Sequence, residues 1–376
     1  MRSPCPNYER CGSCGWSHIP YEAQLKQKLS DINGSFRLKD LTLECQEILP
    51  SPITEHYRNR MDFVIDFEGK VGLREKGKWW RVIDNHTCFL ADRRIEELFS
   101  ITKKWVKDCG LSFHDRKTHL GFLRYAIIRA TTLGESMLTI LTSAPSDPAE
   151  KGLALKALEV LVQQSAATTL IWAINHTETD VSIGGELQTV SGEGSICEIV
   201  AGTKYRISPN AFFQTNSRAA GLLLNTVLSF TGQARGRKIL DLYCGSGFFS
   251  IPLAKCGAQV LAVEVVAQAI YDARVNAQLN GAEVDFRCEQ AEKFNWKEES
   301  PQAIILDPPR SGMHNDSLKA ILEVLPPQIV YVSCNYKNFA REMVDLQKFY
   351  KVERMVALDM FPHTPHVELV SKLSRF

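Results

Sequence analysis

The stretch KILDLYCGSG, Lys238–Gly247, decides the fold class of this chain. Its first half is an apolar run typical of a buried strand, and its glycines predict a sharp turn into a helix over 248–255. A second apolar run follows at Gln259–Glu264. Strand, glycine-rich turn, helix and strand make one βαβ unit, which predicts a doubly wound, Rossmann-like α/β domain.

The glycine turn also predicts a ligand. Glycine lets the backbone approach a ligand closely, and Glu264, 19 residues after Gly245, stands where an acid binds ribose hydroxyls. Ser250 replaces the third glycine of the dinucleotide fingerprint, which disfavours a pyrophosphate. Together with Asp241 in the preceding strand, this favours S-adenosylmethionine, which has a ribose but no phosphate. A purely structural turn is the alternative.

The alternation of strands and helices continues, and two strand ends carry reactive side chains. We predict further strands at 284–288, 303–306, 329–333 and 355–358, with helices at 266–280, 316–325 and 337–347. Pro308 and Pro309 cannot extend a strand ladder, so they fix a turn that aims Asp307 and Arg310 into a cleft. Cys334 follows the next strand. Because open α/β sheets bind ligands at the carboxyl edge, we expect Cys334 near the cofactor.

The segment DMFPHTPHVE, residues 359–368, allows two interpretations. His363 and His366 beside Glu368 could form a metal site. Pro365 disfavours helical presentation of the histidines, and no further ligands cluster nearby in the sequence. The favoured interpretation is a loop that holds Glu368 as a catalytic acid–base group.

Three cysteines crowd the N-terminus in the pattern C-x5-C-G-S-C: Cys5, Cys11 and Cys14. Loop residues separate them, so the thiolates can bend toward one point, and soft sulfur ligands favour zinc, copper or an iron–sulfur cluster. Cys88 is the best candidate for a fourth ligand. The weaker candidates are Cys45, Cys109, His18 and His86. Spacing alone leaves zinc and a cluster open.

The central part of the chain reads as an α+β domain. Residues 60–67 alternate in polarity and turn into 71–73, which predicts a hairpin. We predict further strands at 121–131, 136–142, 168–175 and 196–207, and a helix at 149–164.

A basic segment lies inside this domain. The formal net charge of the chain is +1, but residues 68–131 carry 14 Lys and Arg against eight Asp and Glu. Trp79 and Trp80 lie among cations that suit phosphate contact and base stacking: Arg58, Arg60, Lys76, Lys78 and Arg81. The alternatives are a solvated surface strip and tryptophans that belong to the core.

Composition points to a cytoplasmic protein. No apolar run approaches the roughly 18 residues of a transmembrane helix, and the N-terminus lacks the pattern of a secretory signal. In that compartment the 11 cysteines read as metal ligands, catalytic groups or buried thiols rather than disulfides.

These motifs together resemble the S-adenosylmethionine-dependent RNA uracil-C5 methyltransferases. The resemblance is carried by 241–247, 307–310, 333–335, 359–368 and the upstream FQTN at 213–216. It implies Cys334 and Glu368 as catalytic residues. It implies cofactor contacts from Gln214, Tyr243, Glu264, Gln290 and Asp307. It also implies a [4Fe–4S] cluster on Cys5, Cys11, Cys14 and Cys88, and this resemblance, not spacing, favours a cluster over zinc.

The resemblance further implies a division of the chain and a substrate. We expect a cluster segment and the start of the central domain at 1–95, the rest of an RNA-binding domain at 96–206, and the methyltransferase domain at 207–376. The start of the chain at the cysteines resembles the short branch that forms 5-methyluridine in 23S rRNA. The alternatives are the same chemistry on the T-loop of tRNA, a radical enzyme that uses the cluster, and a non-catalytic RNA-binding protein. No membrane association or obligate protein partner is expected.

Overall fold

The computed structural model describes residues 3–84, 88–295 and 298–376. In chain order the helices are α1 (Tyr21–Arg37), α2 (Arg93–Asp108), α3 (Pro148–Ser165), α4 (Ser217–Thr231), α5 (Ser250–Lys255), α6 (Ala267–Leu279), α7 (Asn315–Val324) and α8 (Tyr336–Leu346). The strands are β1 (Ile48–Leu49), β2 (Arg60–Ile65), β3 (Val71–Glu75), β4 (Lys78–Ile83), β5 (Leu123–Ala130), β6 (Ser136–Ser143), β7 (Thr169–Asn175), β8 (Glu186–Ser191), β9 (Ile196–Val200), β10 (Thr203–Ile207), β11 (Lys238–Leu242), β12 (Gln259–Glu264), β13 (Val284–Cys288), β14 (Ala303–Leu306), β15 (Gln328–Ser333), β16 (Tyr350–Leu358) and β17 (Glu368–Arg375).

The C-terminal residues form the predicted α/β sheet. Its eight strands lie in the order β1-β16-β17-β15-β14-β11-β12-β13. β11 pairs in parallel with β12 and β14, and β17 runs antiparallel between β15 and β16. Ile239 packs into one apolar core and Leu240 into another, because successive side chains of a strand point to opposite faces. Two covered faces explain why these strands read as continuous apolar runs.

The central residues form a second sheet, in the order β4-β3-β2-β5-β6-β7-β8. Its neighbouring strands are antiparallel except for β6 and β7. Helices α2 and α3 cover one face with a core that includes Leu98, Trp105 and Leu158. Trp79 and Trp80 do not belong to this core, so the core alternative was wrong for both. They lie on β4, at the edge of the sheet.

The segment between the first cysteines and the central sheet belongs with the C-terminal sheet. Helix α1 packs on α8, and β1 pairs in parallel with β16 at the sheet edge. The domain limits at 95 and 206 stay a prediction. None of the helices in the described ranges combines the length and the apolar character that a membrane span requires.

A buried ion pair fastens α1 to the C-terminal loop 359–366. Lys28 Nζ lies 2.6 Å from Asp359 Oδ1, and both side chains are 0% exposed. Lys28 Nζ also donates to the carbonyl oxygen of Phe361 at 3.2 Å. Burial lowers the pKa of Lys28, and Asp359 opposes that shift. The ammonium therefore depends on Asp359 and on the carbonyl for the solvation it loses.

We expect Lys28→Met to lower the free energy of unfolding by about 3–5 kcal/mol, because it leaves the Asp359 carboxylate buried without its cation. Urea unfolding followed by circular dichroism measures the change. Lys26→Met, at an exposed position on the same helix, serves as the matched control. Adding Asp359→Asn to Lys28→Met should recover part of the loss. A single variant as stable as its control would contradict a structural role for the pair.

Candidate active site

The predicted site residues gather at one edge of the eight-stranded sheet. Tyr243 follows β11, Glu264 ends β12, Asp307 follows β14 and Cys334 follows β15. These strands are parallel, so their carboxyl ends share an edge. Glu368 begins the antiparallel strand β17, whose next residue pairs with the last residue of β15. The antiparallel strand thus brings Glu368 to the same edge as Cys334.

The glycine turn after β11 is built around Glu264. Gly245 and Gly247 both have positive φ, 55° and 85°, and Tyr243 has a φ of 66°. The amide of Gly245 donates to Glu264 Oε2 at 3.2 Å, and the amide of Val266 donates to Oε1 at 2.9 Å. A Cβ at Gly247 would lie 2.9 Å from the Ile251 side chain. The turn therefore needs glycine and holds the Glu264 carboxylate in place.

Ser250 has a local role that sequence reasoning did not foresee. Its hydroxyl donates a hydrogen bond to Asp241 Oδ2, and both side chains are fully buried. Asp241 Oδ1 has no hydrogen-bond partner within the described residues. Burial raises the pKa of Asp241 to about 7. The serine that departs from the dinucleotide fingerprint thus supports the aspartate beneath the turn.

Three acidic groups crowd together beside one guanidinium. Burial, then the charges of Glu368 and Asp307, raise the pKa of the Cys334 thiol to about 12, while Arg310 opposes the shift. Burial and Asp307 raise the pKa of Glu368 well above its usual range. Burial and Asp241 raise the pKa of Asp307 to about 7. A site with this excess of acidic groups favours a cationic ligand and can exchange protons near neutral pH.

Arg310 is fixed from two sides. Asn335 and Asn338 donate their side-chain amides to its carbonyl oxygen at 3.0 and 2.7 Å. Its Nη2 lies 2.8 Å from His366 Nδ1. Desolvation of the ring and the nearby Arg310 lower the pKa of His366 to about 4, so the neutral ring accepts this hydrogen bond. The turn with two prolines and the C-terminal loop are joined through this contact.

The alternative of a metal site at His363, His366 and Glu368 finds no support. His363 is buried, and its Nδ1 accepts a hydrogen bond from Gln24 Nε2 at 3.1 Å. Across the described ranges, no group of three or more His, Cys, Asp or Glu is placed to hold a metal ion. His363 positions the loop through hydrogen bonds.

Sequence reasoning missed the residues that hold loop 359–366. Gln24 Oε1 accepts from the amide of His363 at 2.8 Å, in addition to the contact of its Nε2. Tyr57 donates its hydroxyl to the carbonyl oxygen of Pro362 at 3.0 Å, and Asn216 Nδ2 donates to that of Met360 at 3.0 Å. These contacts join residues up to 339 positions apart in the chain. No local pattern could reveal them.

The two remaining predicted cofactor contacts lie near the same edge. Gln214 is buried just before α4, and its carbonyl oxygen accepts from Asn59 Nδ2 at 2.9 Å. Gln290 follows β13, and its carbonyl oxygen accepts from the amides of Lys293 and Phe294. Both are held through their backbones.

The four predicted cluster ligands line one recess. Cys5, Cys11, Cys14 and Cys88 are all buried, and they share the recess with Asn7, Ser13, Leu73 and Ile83. The recess contains about 330 Å³ of atom-free space, part of it open to solvent. Burial, followed by nearby Cys88, raises the pKa of Cys14 to about 12. Thiols alone make a soft ligand set, but no group of three or more His, Cys, Asp or Glu in the described ranges, these four cysteines included, is placed to hold a metal ion.

Three of the weaker ligand candidates, Cys45, Cys109 and His18, do not line this recess. Cys45 donates its thiol to the carbonyl oxygen of Glu47, and Cys109 donates to that of Val106. His18 lies against the ring of Tyr8 at 5.5 Å. His86 lies outside the described residues.

The whole chain is similar to known RNA methyltransferases. The family model for tRNA (uracil-5-)-methyltransferase matches residues 20–297 and 285–375. An uncharacterized RNA methyltransferase of Caldanaerobacter subterraneus subsp. tengcongensis is 35% identical over 387 residues, covering 100% of this chain and 85% of that protein. A tRNA (uracil(54)-C(5))-methyltransferase of Pyrococcus horikoshii is 36% identical over 372 residues, covering 98% of this chain and 85% of that protein.

A solved structure agrees with these relatives. It is the crystal structure of Pyrococcus abyssi tRNA (uracil-54, C5)-methyltransferase in complex with S-adenosyl-L-homocysteine. The similarity covers 96% of this chain and 86% of that one, with a TM-score of 0.81 and 34% identity. With the family model and the relatives, it shows that the chain belongs to the tRNA (uracil-5-)-methyltransferase family of S-adenosylmethionine-dependent RNA-modifying enzymes.

Proposed function

We propose that this chain methylates carbon 5 of the T-loop uridine in tRNA and forms 5-methyluridine there. The observation that carries the reaction is the meeting of Cys334, Glu368 and Asp307 beside Arg310 at one sheet edge. The choice of tRNA is supported by the Pyrococcus relatives, whose names specify uracil 54 of tRNA. These names favour tRNA over the 23S rRNA expected from the sequence.

Cys334 supplies the nucleophile. Carbon 5 of uracil attacks electrophiles poorly until a thiolate adds at carbon 6 and converts the ring to an enolate. The Cys334 thiol must first lose its proton, because burial and two carboxylates keep it in the thiol form. We assign that proton to Asp307, whose charge acts on Cys334. Transfer from a thiol of pKa about 12 to a carboxyl group of pKa about 7 is uphill, so it accompanies formation of the Sγ–C6 bond. The π electrons of the C5–C6 bond move into the enolate as that bond forms.

S-adenosylmethionine, when bound, supplies an electrophilic methyl group on a positively charged sulfur. We assign the ribose hydroxyls to Glu264, whose carboxylate two backbone amides hold at the glycine turn, and a further cofactor contact to Tyr243 in that turn. Gln214, Gln290 and Asp307 complete the proposed contacts. The acidic groups of the site match the positive charge.

Glu368 acts as the base that ends the reaction. The positive charge of the bound cofactor favours ionised Glu368. Once carbon 5 has taken the methyl group, that charge is gone, and the buried carboxylate regains its high proton affinity. Glu368 then removes the proton from carbon 5. The electron pair of the C5–H bond restores the C5–C6 double bond and expels Cys334 Sγ from carbon 6.

The target uridine must leave its stack to reach Cys334. A loop uridine costs less to extrude than a paired one, which agrees with a T-loop target. 

We further propose that Cys5, Cys11, Cys14 and Cys88 hold a [4Fe–4S] cluster. Their convergence on one recess, together with the resemblance of the C-x5-C-G-S-C pattern, supports it. A lone zinc needs four ligands within about 2.3 Å of one point, whereas a cluster spreads its thiolates over several irons. The cluster would shape the loop that carries the cysteines.

Cys334→Ala should abolish methyl transfer to RNA, because no other group forms the bond to carbon 6. Glu368→Gln should still form the methylated adduct but fail to release it. Labelled methyl transfer measures the first effect, and a slow-migrating protein–RNA band on a denaturing gel measures the second.

Two matched variants serve as controls for these changes. Cys256→Ala removes an exposed thiol, and Glu353→Gln removes an exposed carboxylate on β16. Both should retain normal activity. Turnover close to that of the unaltered chain in Cys334→Ala would exclude the covalent mechanism. A Glu368→Gln chain that leaves no adduct would exclude its role as the base.

We expect an unmodified tRNA transcript to acquire one 5-methyluridine in its T-loop, and 23S rRNA fragments to remain at background. Nucleoside mass spectrometry after incubation with the purified chain measures both. A transcript with cytidine in place of the target uridine should not react. Methylation of rRNA alone would overturn the tRNA proposal and restore the rRNA prediction.

Anaerobically purified protein should contain about four irons and four acid-labile sulfides per chain. Cys5→Ala and Cys88→Ala should each lose most of both, while Cys45→Ala and Cys109→Ala should keep them. Chemical iron and sulfide assays with zinc analysis decide the point. One zinc per chain and no sulfide would contradict the cluster.

A further inference from the structure

Strand β4 exposes two adjacent tryptophans. Trp79 is 51% and Trp80 50% exposed, and their rings form an edge-to-face pair with centroids 5.7 Å apart and an 87° angle. Indole rings bury large apolar areas when they find a partner, so two half-exposed rings side by side mark an interaction surface. We call residues 75–81, with these two rings, the tryptophan hairpin.

Cations surround the two rings. Lys76, Lys78 and Arg81 are exposed on the tryptophan hairpin itself. The Arg116 guanidinium lies 4.7 Å from the centroid of the Trp79 ring. Planar aromatic faces among positive charges suit a ligand that has both flat rings and a negatively charged backbone.

Carboxylates near this surface do not cancel its charge. Glu75 is buried and is shared by Lys78 at 2.8 Å, Arg10 at 3.2 Å and Arg81 at 4.0 Å. Asp180 pairs with Arg116. Cations therefore remain in excess around the rings, in agreement with the basic segment of the sequence.

The N-terminal cysteine loop, residues 3–16, holds the tryptophan hairpin in position. The amide of Lys76 donates to the carbonyl oxygen of Arg10 at 2.7 Å, and Cys11 forms an isolated antiparallel bridge with Glu75. Leu73 on β3 and Ile83 on β4, just outside the hairpin, line the recess of the four cysteines. Two neighbouring rings on a fixed support lose little conformational entropy when a ligand binds.

The same loop also contacts the catalytic side of the molecule. Arg58 Nη2 donates to the carbonyl oxygen of Ser13 at 2.9 Å. The amide of Trp16 donates to the carbonyl oxygen of His363 at 3.0 Å, inside loop 359–366. Residues 3–16 thus connect the tryptophan hairpin with the loop that leads to Glu368.

We propose that the tryptophan hairpin binds unpaired nucleotides of the substrate RNA outside the target uridine. Bases stack on Trp79 and Trp80, and Lys76, Lys78 and Arg81 contact the phosphates. This inference rests on the proposed function for the identity of the RNA as substrate. A second copy of this chain is a poor occupant, because a symmetric contact would set the same cations against each other.

The double variant Trp79→Ala/Trp80→Ala should raise the KM for RNA by roughly tenfold to a hundredfold, since each stacked base contributes strongly to binding. The kcat at saturating RNA should stay unchanged, because neither ring belongs to the reacting site. Trp79→Phe/Trp80→Phe should keep most of the affinity, since phenyl rings still stack. Leu38→Ala removes an exposed apolar side chain elsewhere and serves as the control.

Binding measurements separate this surface from the proposed reaction. Anisotropy of a dye-labelled single-stranded oligoribonucleotide should show binding to the unaltered chain and weak binding to the double alanine variant. Lys78→Gln/Arg81→Gln should reduce the slope of log affinity against log salt by about one for each lost phosphate contact. The two proposals can fail separately. If the unaltered chain methylates no RNA, the proposed function is contradicted. If the double alanine variant still loses oligonucleotide binding in that case, this surface is supported.

Three results would overturn the inference. The first is an unchanged KM and oligonucleotide affinity in the double alanine variant. The second is a kcat at saturating RNA that falls equally in the double alanine and the double phenylalanine variant, because that result would indicate damage to the fold. The third is a dimer of the unaltered chain in sedimentation that the alanine variant loses without any change in RNA affinity, because the hairpin would then join two copies.

Discussion

The buried pair of Lys28 and Asp359 is the contact on which the arrangement of the catalytic edge depends. One partner lies in the first helix and the other at the end of β16, 331 positions later. Neither charge reaches solvent, so each requires the other. Gln24, one turn earlier on the same helix, holds His363 through both its amide nitrogen and its oxygen. The N-terminal helix therefore sets the course of the loop that delivers Glu368 to β17.

The charges at this edge form one coupled set. Asp241, Asp307, Glu368 and Cys334 all have raised pKa values, because burial disfavours each anion and each anion disfavours the next. Arg310 is the cation that opposes these shifts at Cys334 and Glu368. Burial and mutual repulsion therefore make each of these groups hold its proton more tightly than it would in water.

Sequence reasoning succeeded where the signal is local. Buried parallel strands are continuous apolar runs, so 259–264, 284–288 and 303–306 were predicted with the bounds that the structure has. Asp307 and Cys334 lie at one edge as expected, since parallel strands share a carboxyl edge, and their roles stay a prediction. Helix α1 and strand β1 were missed because they owe their place to partners far along the chain, α8 and β16. Taken singly, Trp79 and Trp80 were expected in the core, and this was wrong because composition does not tell an edge strand from a central one.

The loop of the N-terminal cysteines, residues 3–16, contacts both the tryptophan hairpin and loop 359–366. It contacts the tryptophan hairpin through Arg10 and Cys11, and it contacts loop 359–366 through Trp16. Its own helical content is small, and its core consists of four thiols around a recess. Burial raises the pKa of Cys5, Cys11 and Cys14, so these thiols stay protonated, and protonated thiols hold one another only by weak contacts. The proposed cluster, bound to all four, would replace these weak contacts with bonds and fix the loop. Its contribution to the proposed reaction would then be geometric: one rigid segment that aligns the proposed RNA surface with the loop that leads to Glu368.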